Sequence, residues 1–197
     1  VGDLAESWDV SEDGMTYTFK LRDNVVWHDG ESFNADDVVY TLNEIWTNPD
    51  VPYYLANNFR LIENAEKIDD YTVEVSLSSP QPSLPVLMGY NAAILPEHLL
   101  SDLTPEQLVN PTEFLNNPVG TGPFKFAEYN PGAYVQLERN DDYFDGTPYL
   151  DAMTFRIVPD ANAQLALLQS GEVDLVVIEP FQLSSVENNP NVQIQSV

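Results

Sequence analysis

Along the first third of the chain, apolar positions alternate with polar ones before they fall into helical spacing. Leu4 to Val10 reads as a strand, and Ser11-Glu12-Asp13-Gly14 as a turn. Tyr17, Phe19 and Leu21 then alternate with polar neighbours, the period of a half-buried strand. Val25, Val26 and Trp27 predict a short third strand, closed by the turn His28-Asp29-Gly30-Glu31. Asn34 stands where a helix N-cap belongs. Asp36 and Asp37 follow in the first turn, where the helix dipole favours negative charge. Val38, Leu42 and Ile45 give that helix a core-facing stripe.

Leu61 to Ile68 and Thr72 to Leu77 flank Asp69-Asp70-Tyr71 and predict a hairpin. The proline-rich stretch Ser79 to Pro85 interrupts the pattern before a short apolar helix. Ala92 to Pro96 leads into Glu97 to Val109, which predicts two short helices, and a domain boundary is placed at residue 96. Beyond it the pattern predicts strands at Phe124 to Glu128, Tyr134 to Glu138 and Met153 to Val158. A helix at Ala161 to Ser170 and a strand at Val173 to Ile178 follow. Asp160 caps the helix and Gly171 ends it, so the last three elements form a strand-helix-strand crossover unit. The expected class is α/β, with mixed sheets and flanking helices.

Composition narrows the possibilities. With 43% hydrophobic and 11% aromatic residues, the 197-residue chain has the means to build a packed core. No apolar run approaches the roughly 18 residues of a membrane span. The opening Val1-Gly2-Asp3 carries neither Met nor a leader pattern, so a piece of a longer precursor is expected. Seven basic against 32 acidic side chains leave a net charge of −25. Such a surface repels nucleic acid and anionic membranes. It suits an exported protein, and also one adapted to high salt. The absence of cysteine excludes disulfides and thiolate chemistry.

Two stretches carry a family likeness. The first is Leu4-Ala5-Glu6-Ser7-Trp8, then Ser11 to Arg22 (Ser-Glu-Asp-Gly-Met-Thr-Tyr-Thr-Phe-Lys-Leu-Arg), then Trp27-His28-Asp29-Gly30-Glu31 running on to Tyr40. The second is Pro118-Val119-Gly120-Thr121-Gly122-Pro123-Phe124 with the run Asp151 to Val176 behind it. In this order and spacing the chain resembles the extracellular solute-binding proteins of family 5, the peptide- and nickel-binding receptors of ABC importers. The resemblance implies a partial first lobe of a periplasmic-binding-protein-like (type II) clamshell. It places an accessory subdomain at 1–96 and part of the lobe's ligand-binding core at 97–197, with the second lobe outside this sequence. It also implies a non-enzymatic monomer that takes up a small solute, above all a peptide, and passes it to ABC permease subunits. Such a receptor works in the periplasm or outside the cell, free or lipid-anchored.

Candidate chemistry is sparse. The resemblance places Tyr53 and Tyr54, and more weakly Tyr90 and Asn91, at the ligand cleft. The aromatic pair would equally serve to pack beneath a loop, and Tyr90-Asn91 to form an ordinary turn. Gly120-Thr121-Gly122 lacks the phosphate-loop pattern, and Pro123 removes an amide from it, so its glycines are read as permitting unusual backbone angles. Residues 9–14 imitate half of an EF-hand loop, but Lys20 stands where its bidentate Glu belongs. His28 and His98 lack metal-ligand spacing, so neither a metal site nor a cofactor is expected. No catalytic residue is assigned, since no nucleophile motif is present and carboxylate pairs arise by chance among 32. An acidic carbohydrate-active enzyme or accessory domain, and a protein-interaction module, are the rival readings.

Overall fold

The structure, a computed structural model, describes residues 3–91, 93–187 and 189–195. It divides into two compact units. One holds Val1–Ala127 with Leu137–Met153, the other Glu128–Gln136 with Thr154–Val197.

In the larger unit, β1 (Ala5–Val10), β2 (Thr16–Leu21), β3 (Ile62–Asp69) and β4 (Thr72–Leu77) form an antiparallel sheet of order β1-β2-β4-β3. Register puts Tyr17 beside Val75 and Phe19 beside Val73, so these four side chains share one apolar face of the sheet. Against it pack Val38, Leu42, Ile45 and Trp46, all buried. Burying side chains of this size contributes about 1.5–3 kcal/mol each, and this cluster is the core. The turn between β1 and β2 is a hairpin turn, as expected: Ser11 Oγ donates to Asp13 Oδ1 at 2.6 Å. Gly14 occupies φ +70°, a region closed to most side chains, with Pro80 packed close beside it.

Helix α1 (Ala35–Tyr40) starts where the sequence placed it. Asn34 Oδ1 accepts the N–H of Asp36, and Asp37 Oδ2 reaches back to the N–H of Asn34. It then widens into a π-helical turn, Thr41–Trp46, in which the Thr47 N–H reaches Leu42 O at 3.1 Å. Helices α2 (Ala56–Phe59), α3 (Leu84–Asn91), α4 (Glu97–Leu100) and α5 (Pro105–Leu108) follow, then α6 (Thr112–Asn116), which the pattern did not predict. Residues 25–27 do not form the expected strand. They make one isolated bridge, Val26 to Ser32, because the tight turn at 27–30 leaves no length for a ladder.

Strands β5 (Phe124–Asn130), β6 (Tyr134–Arg139) and β7 (Ala152–Arg156) form a second sheet of order β5-β6-β7. In the smaller unit, α7 (Ala161–Ser170) is capped by Asp160 Oδ1, which accepts the Ala163 N–H at 2.7 Å, and ends at Gly171, φ +74°. Leu165 and Val186 are buried there, and Gln182 Nε2 donates to Ala161 O at 2.9 Å.

The strand expected at Val173 to Ile178 is not formed. Leu175 and Val177 stand 81% and 87% exposed. An apolar run becomes a strand only where a neighbour accepts and donates its backbone hydrogen bonds, and among the described residues none does. The crossover unit therefore stops at its helix.

Candidate functional site

Four of the chain's aromatic rings build a stepped ledge in the larger unit. Trp46, at the end of the π turn, stacks on Phe59 of α2 with centroids 4.3 Å apart. Tyr53 lies nearly parallel to both, 6.2 Å from Trp46 and 6.5 Å from Phe59. Tyr54 stands edge-on to Tyr53 at 5.3 Å and is 80% exposed. Trp46 and Phe59 are fully buried, so the ledge is anchored in the core and ends in solvent. Burial, then the neighbouring Tyr54, raises the pKa of the Tyr53 hydroxyl, so it stays a hydrogen-bond donor at neutral pH.

Tyr90 lies in the last turn of α3 and is 81% exposed. Asn91 ends that helix, and its side chain falls outside the described residues. The structure thus brings Tyr53 and Tyr54 together. Among the described aromatic contacts, none joins Tyr90 to them.

A recess of about 560 Å³ in the same unit was not anticipated from sequence. All three tryptophans, Trp8, Trp27 and Trp46, line it, with Phe19, Met88 and Ile94. The one signal available beforehand was that every tryptophan falls within the first 46 positions. A second recess, about 640 Å³, has Asp29, His98, Gln107, Phe114 and Asn117 in its wall.

Two buried polar side chains near these recesses, Asp37 and Thr41, are engaged in holding backbone. Asp37, 4% exposed, accepts from Trp27 Nε1 at 3.2 Å, from the Asn34 N–H at 3.0 Å and from the Glu97 N–H at 3.0 Å. Thr41 Oγ1 donates to Asp37 O and accepts the Leu95 N–H at 2.9 Å. Together they fix the segment that follows α3. Tyr40, whose hydroxyl is buried without a partner, has its pKa pushed up to about 12 by burial and then by Glu44 and Glu97.

His28 is not a loose surface residue. Its Nδ1 accepts the Gly120 N–H at 3.2 Å and its Nε2 donates to Gly122 O at 2.9 Å. Asn140 Nδ2 reaches the same Gly122 carbonyl at 3.0 Å. The Gly120-Thr121-Gly122 turn is therefore structural, but not for the reason expected from its glycines, since neither has positive φ. Distant side chains shape it. His98 Nε2 meets Asp29 Oδ2 at 2.8 Å. Burial opposes ionisation of Asp29, while His98 and the Glu31 N–H outweigh it and hold the carboxyl below its usual range. Among the described residues, no group of three or more His, Cys, Asp or Glu could hold a metal ion, and no helix is long and apolar enough to cross a membrane.

An antiparallel sheet backed by helices in this arrangement has close counterparts among solved structures. The oligopeptide-binding protein AppA from Bacillus subtilis, in complex with a nonapeptide, superposes with a TM-score of 0.90 at 35% identity, over 95% of this chain and 37% of that one. NikZ from Campylobacter jejuni, in complex with Ni(L-His), gives 0.87 at 33% identity over 95% and 37%. The fold is that of a partial lobe of a type II periplasmic binding protein. In sequence, AppA of Bacillus subtilis (strain 168) is 35% identical over 191 residues, 97% of this chain. The profile of the bacterial extracellular solute-binding proteins, family 5 (Middle), matches residues 1–197, and the chain belongs to that family. It spans 35% of the length of AppA, so it corresponds to about a third of such a receptor. Family members are periplasmic or extracellular solute-binding receptors.

Proposed function

We propose that this chain is part of an extracytoplasmic receptor that captures peptides or similar small solutes and delivers them to an ABC importer. The observation that carries this reading is the superposition on AppA holding a nonapeptide. The protein acts by binding, not by catalysis: its buried carboxylate, Asp37, is saturated with backbone and indole donors instead of facing a cleft. Residues 1–96 supply the accessory subdomain of the first lobe and residues 97–197 part of its ligand-binding core. The second wall of the cleft belongs to a lobe outside this sequence. The receptor is a monomer, lipid-anchored or free outside the cytoplasmic membrane, and its docking partners are the permease subunits.

Tyr53 and Tyr54 form the ligand-facing ledge, with Tyr90 and Asn91 at a second point of approach. A flat ring with a polar tip suits a peptide backbone or side chain. Ligand closure then follows from contacts made by both lobes, which shift an open–closed equilibrium.

Calorimetry tests this. The full-length receptor is expected to give binding heat with peptide pools, and residues 1–197 alone little or none. Absence of heat from the full-length protein with peptides, nickel complexes and oligosaccharides would favour an interaction module. Hydrolysis of glycosides would favour the enzyme reading. Low-micromolar binding by residues 1–197 alone would contradict the shared cleft.

A further inference from the structure

Helix α1 and the turn that widens it bury their residues in pairs: Asp37 with Val38, Thr41 with Leu42, and Ile45 with Trp46. The repeat is four residues. An α-helix turns once every 3.6 residues, so on it each successive pair would swing about 40° around the axis. The turn Thr41–Trp46 is closed instead by a bond spanning five residues, from the Thr47 N–H to Leu42 O at 3.1 Å. This wider turn keeps Trp46 on the face that Leu42 occupies. π turns are rare and need support. Thr47 Oγ1 gives some of it by donating to the same Leu42 carbonyl at 2.9 Å.

Asn43, inside the turn and half-buried, gives the rest. Its Nδ2 donates to Ala65 O at 2.9 Å, and its Oδ1 accepts the Ala65 N–H at 3.0 Å. Ala65 belongs to β3, an edge strand, so the side-chain amide takes up a donor and an acceptor that a further strand would otherwise pair. A carboxylate or a hydroxyl does not replace it, because the amide carries donor and acceptor side by side at fixed spacing. Ala65 is 2% exposed and in register with Val75, so the turn is fastened to a packed part of the sheet. Three residues beyond Asn43, Trp46 stacks on Phe59 at 4.3 Å and lies parallel to Tyr53 at 6.2 Å.

We propose that Asn43 is a positioning residue for the aromatic ledge. By fastening the wide turn to β3 it sets the place of Trp46, and through Trp46 that of Tyr53 and Tyr54. Its part in solute capture rests on the reading of Tyr53 and Tyr54 as the ligand-facing ledge, whereas its hold on the ring stack does not.

Two measurements on the full-length receptor test this. In the unliganded protein labelled with 15N-tryptophan, the Trp46 indole resonance carries the ring currents of Phe59 and Tyr53. Asn43→Ala should shift it and leave that of Trp8 in place. Asn43→Asp still accepts the Ala65 N–H but cannot donate to Ala65 O, so it should give a smaller shift, and it serves where Asn43→Ala does not fold. Calorimetry with a random nonapeptide pool is the second measurement. Asn43→Ala should weaken binding about fivefold, but should cost nothing further in a receptor already carrying Tyr54→Ala, as expected of residues that act through one contact. An unmoved Trp46 resonance overturns the proposal. A shifted resonance with full affinity, or a loss that persists beside Tyr54→Ala, overturns its part in capture. Full affinity in Tyr54→Ala alone overturns the ledge as a ligand site and leaves the placing of Trp46 to the indole spectrum.

Discussion

Asp37 Oδ1 accepts the backbone N–H of Glu97 at 3.0 Å, tying the start of the first helix to the start of the fourth. The other carboxylate oxygen takes the Trp27 indole and the Asn34 amide. Asp37→Asn keeps the shape but sets an amide donor against donors. Leaving a buried donor unsatisfied costs about 1–3 kcal/mol, so chemical denaturation should show a loss of that size. An unchanged midpoint would mean that the carboxylate is not what joins these segments.

On the proposed reading, the aromatic ledge separates packing from recognition. Tyr54 and Tyr90, 80% and 81% exposed, carry little of the core, so Tyr54→Ala and Tyr90→Ala should leave the melting temperature within a degree or two. In the full-length receptor Tyr54→Ala should weaken peptide binding about tenfold, the effect expected of an aromatic anchor. Tyr53→Ala should do both, because Tyr53 stacks on Trp46 and Phe59. Calorimetry and thermal melts together read the split. Unaltered affinity in Tyr54→Ala would remove the ledge from the cleft.

Acid should destabilise the chain in a definite window. Burial lowers the pKa of His28 below its ordinary 6.5, so between the two values the unfolded chain binds more protons than the folded one. The stability contributed by neutral His28 is complete above 6.5 and is lost as pH falls through that value toward the folded pKa. Asp29, whose pKa is held low, loses its contribution further down, below its ordinary 3.8. Urea midpoints measured from pH 7.5 to 5.0 should fall, and His28→Gln should flatten the slope. A flat profile in the unmodified chain would contradict the assigned hydrogen bonds.

Net charge predicts a salt response of the opposite kind to ordinary ion-pair screening. Two of the cations are already spent locally: Lys67 meets Asp36 and Asp70 at 2.8 and 2.9 Å, and Arg139 meets Asp141 at 2.7 Å. With 32 acidic against seven basic side chains, repulsion is the dominant surface term, and at 1 M salt it is screened within about 3 Å. The melting temperature should rise from low to molar potassium chloride. No rise, or a fall, would show that the acidity is not an adaptation to salt.

The elements legible in the sequence were those made by neighbours. Asn34 caps α1 through amides two and three residues away, Asp160 caps α7 likewise, and Tyr17, Phe19 and Leu21 alternate because a pleated strand must. The family likeness was legible too, because it rests on the order of residues and not on their contacts. What failed depended on distant partners. Val173 to Ile178 has the composition of a strand, but composition supplies no neighbour to pair with. Asp37 looked like a residue placed for the helix dipole, yet its role is set by Trp27 and Glu97. His28 gave no sign of reaching the glycines at 120 and 122.

The order of residues alone therefore determined the family, the caps, the hairpins and the aromatic candidates, since each follows from covalent spacing. Tertiary structure decided which polar groups are consumed in holding the chain and which stay exposed. Hydrogen bonds across ten to ninety residues form only once the core has brought their partners within reach, and the spacing along the backbone does not encode that distance.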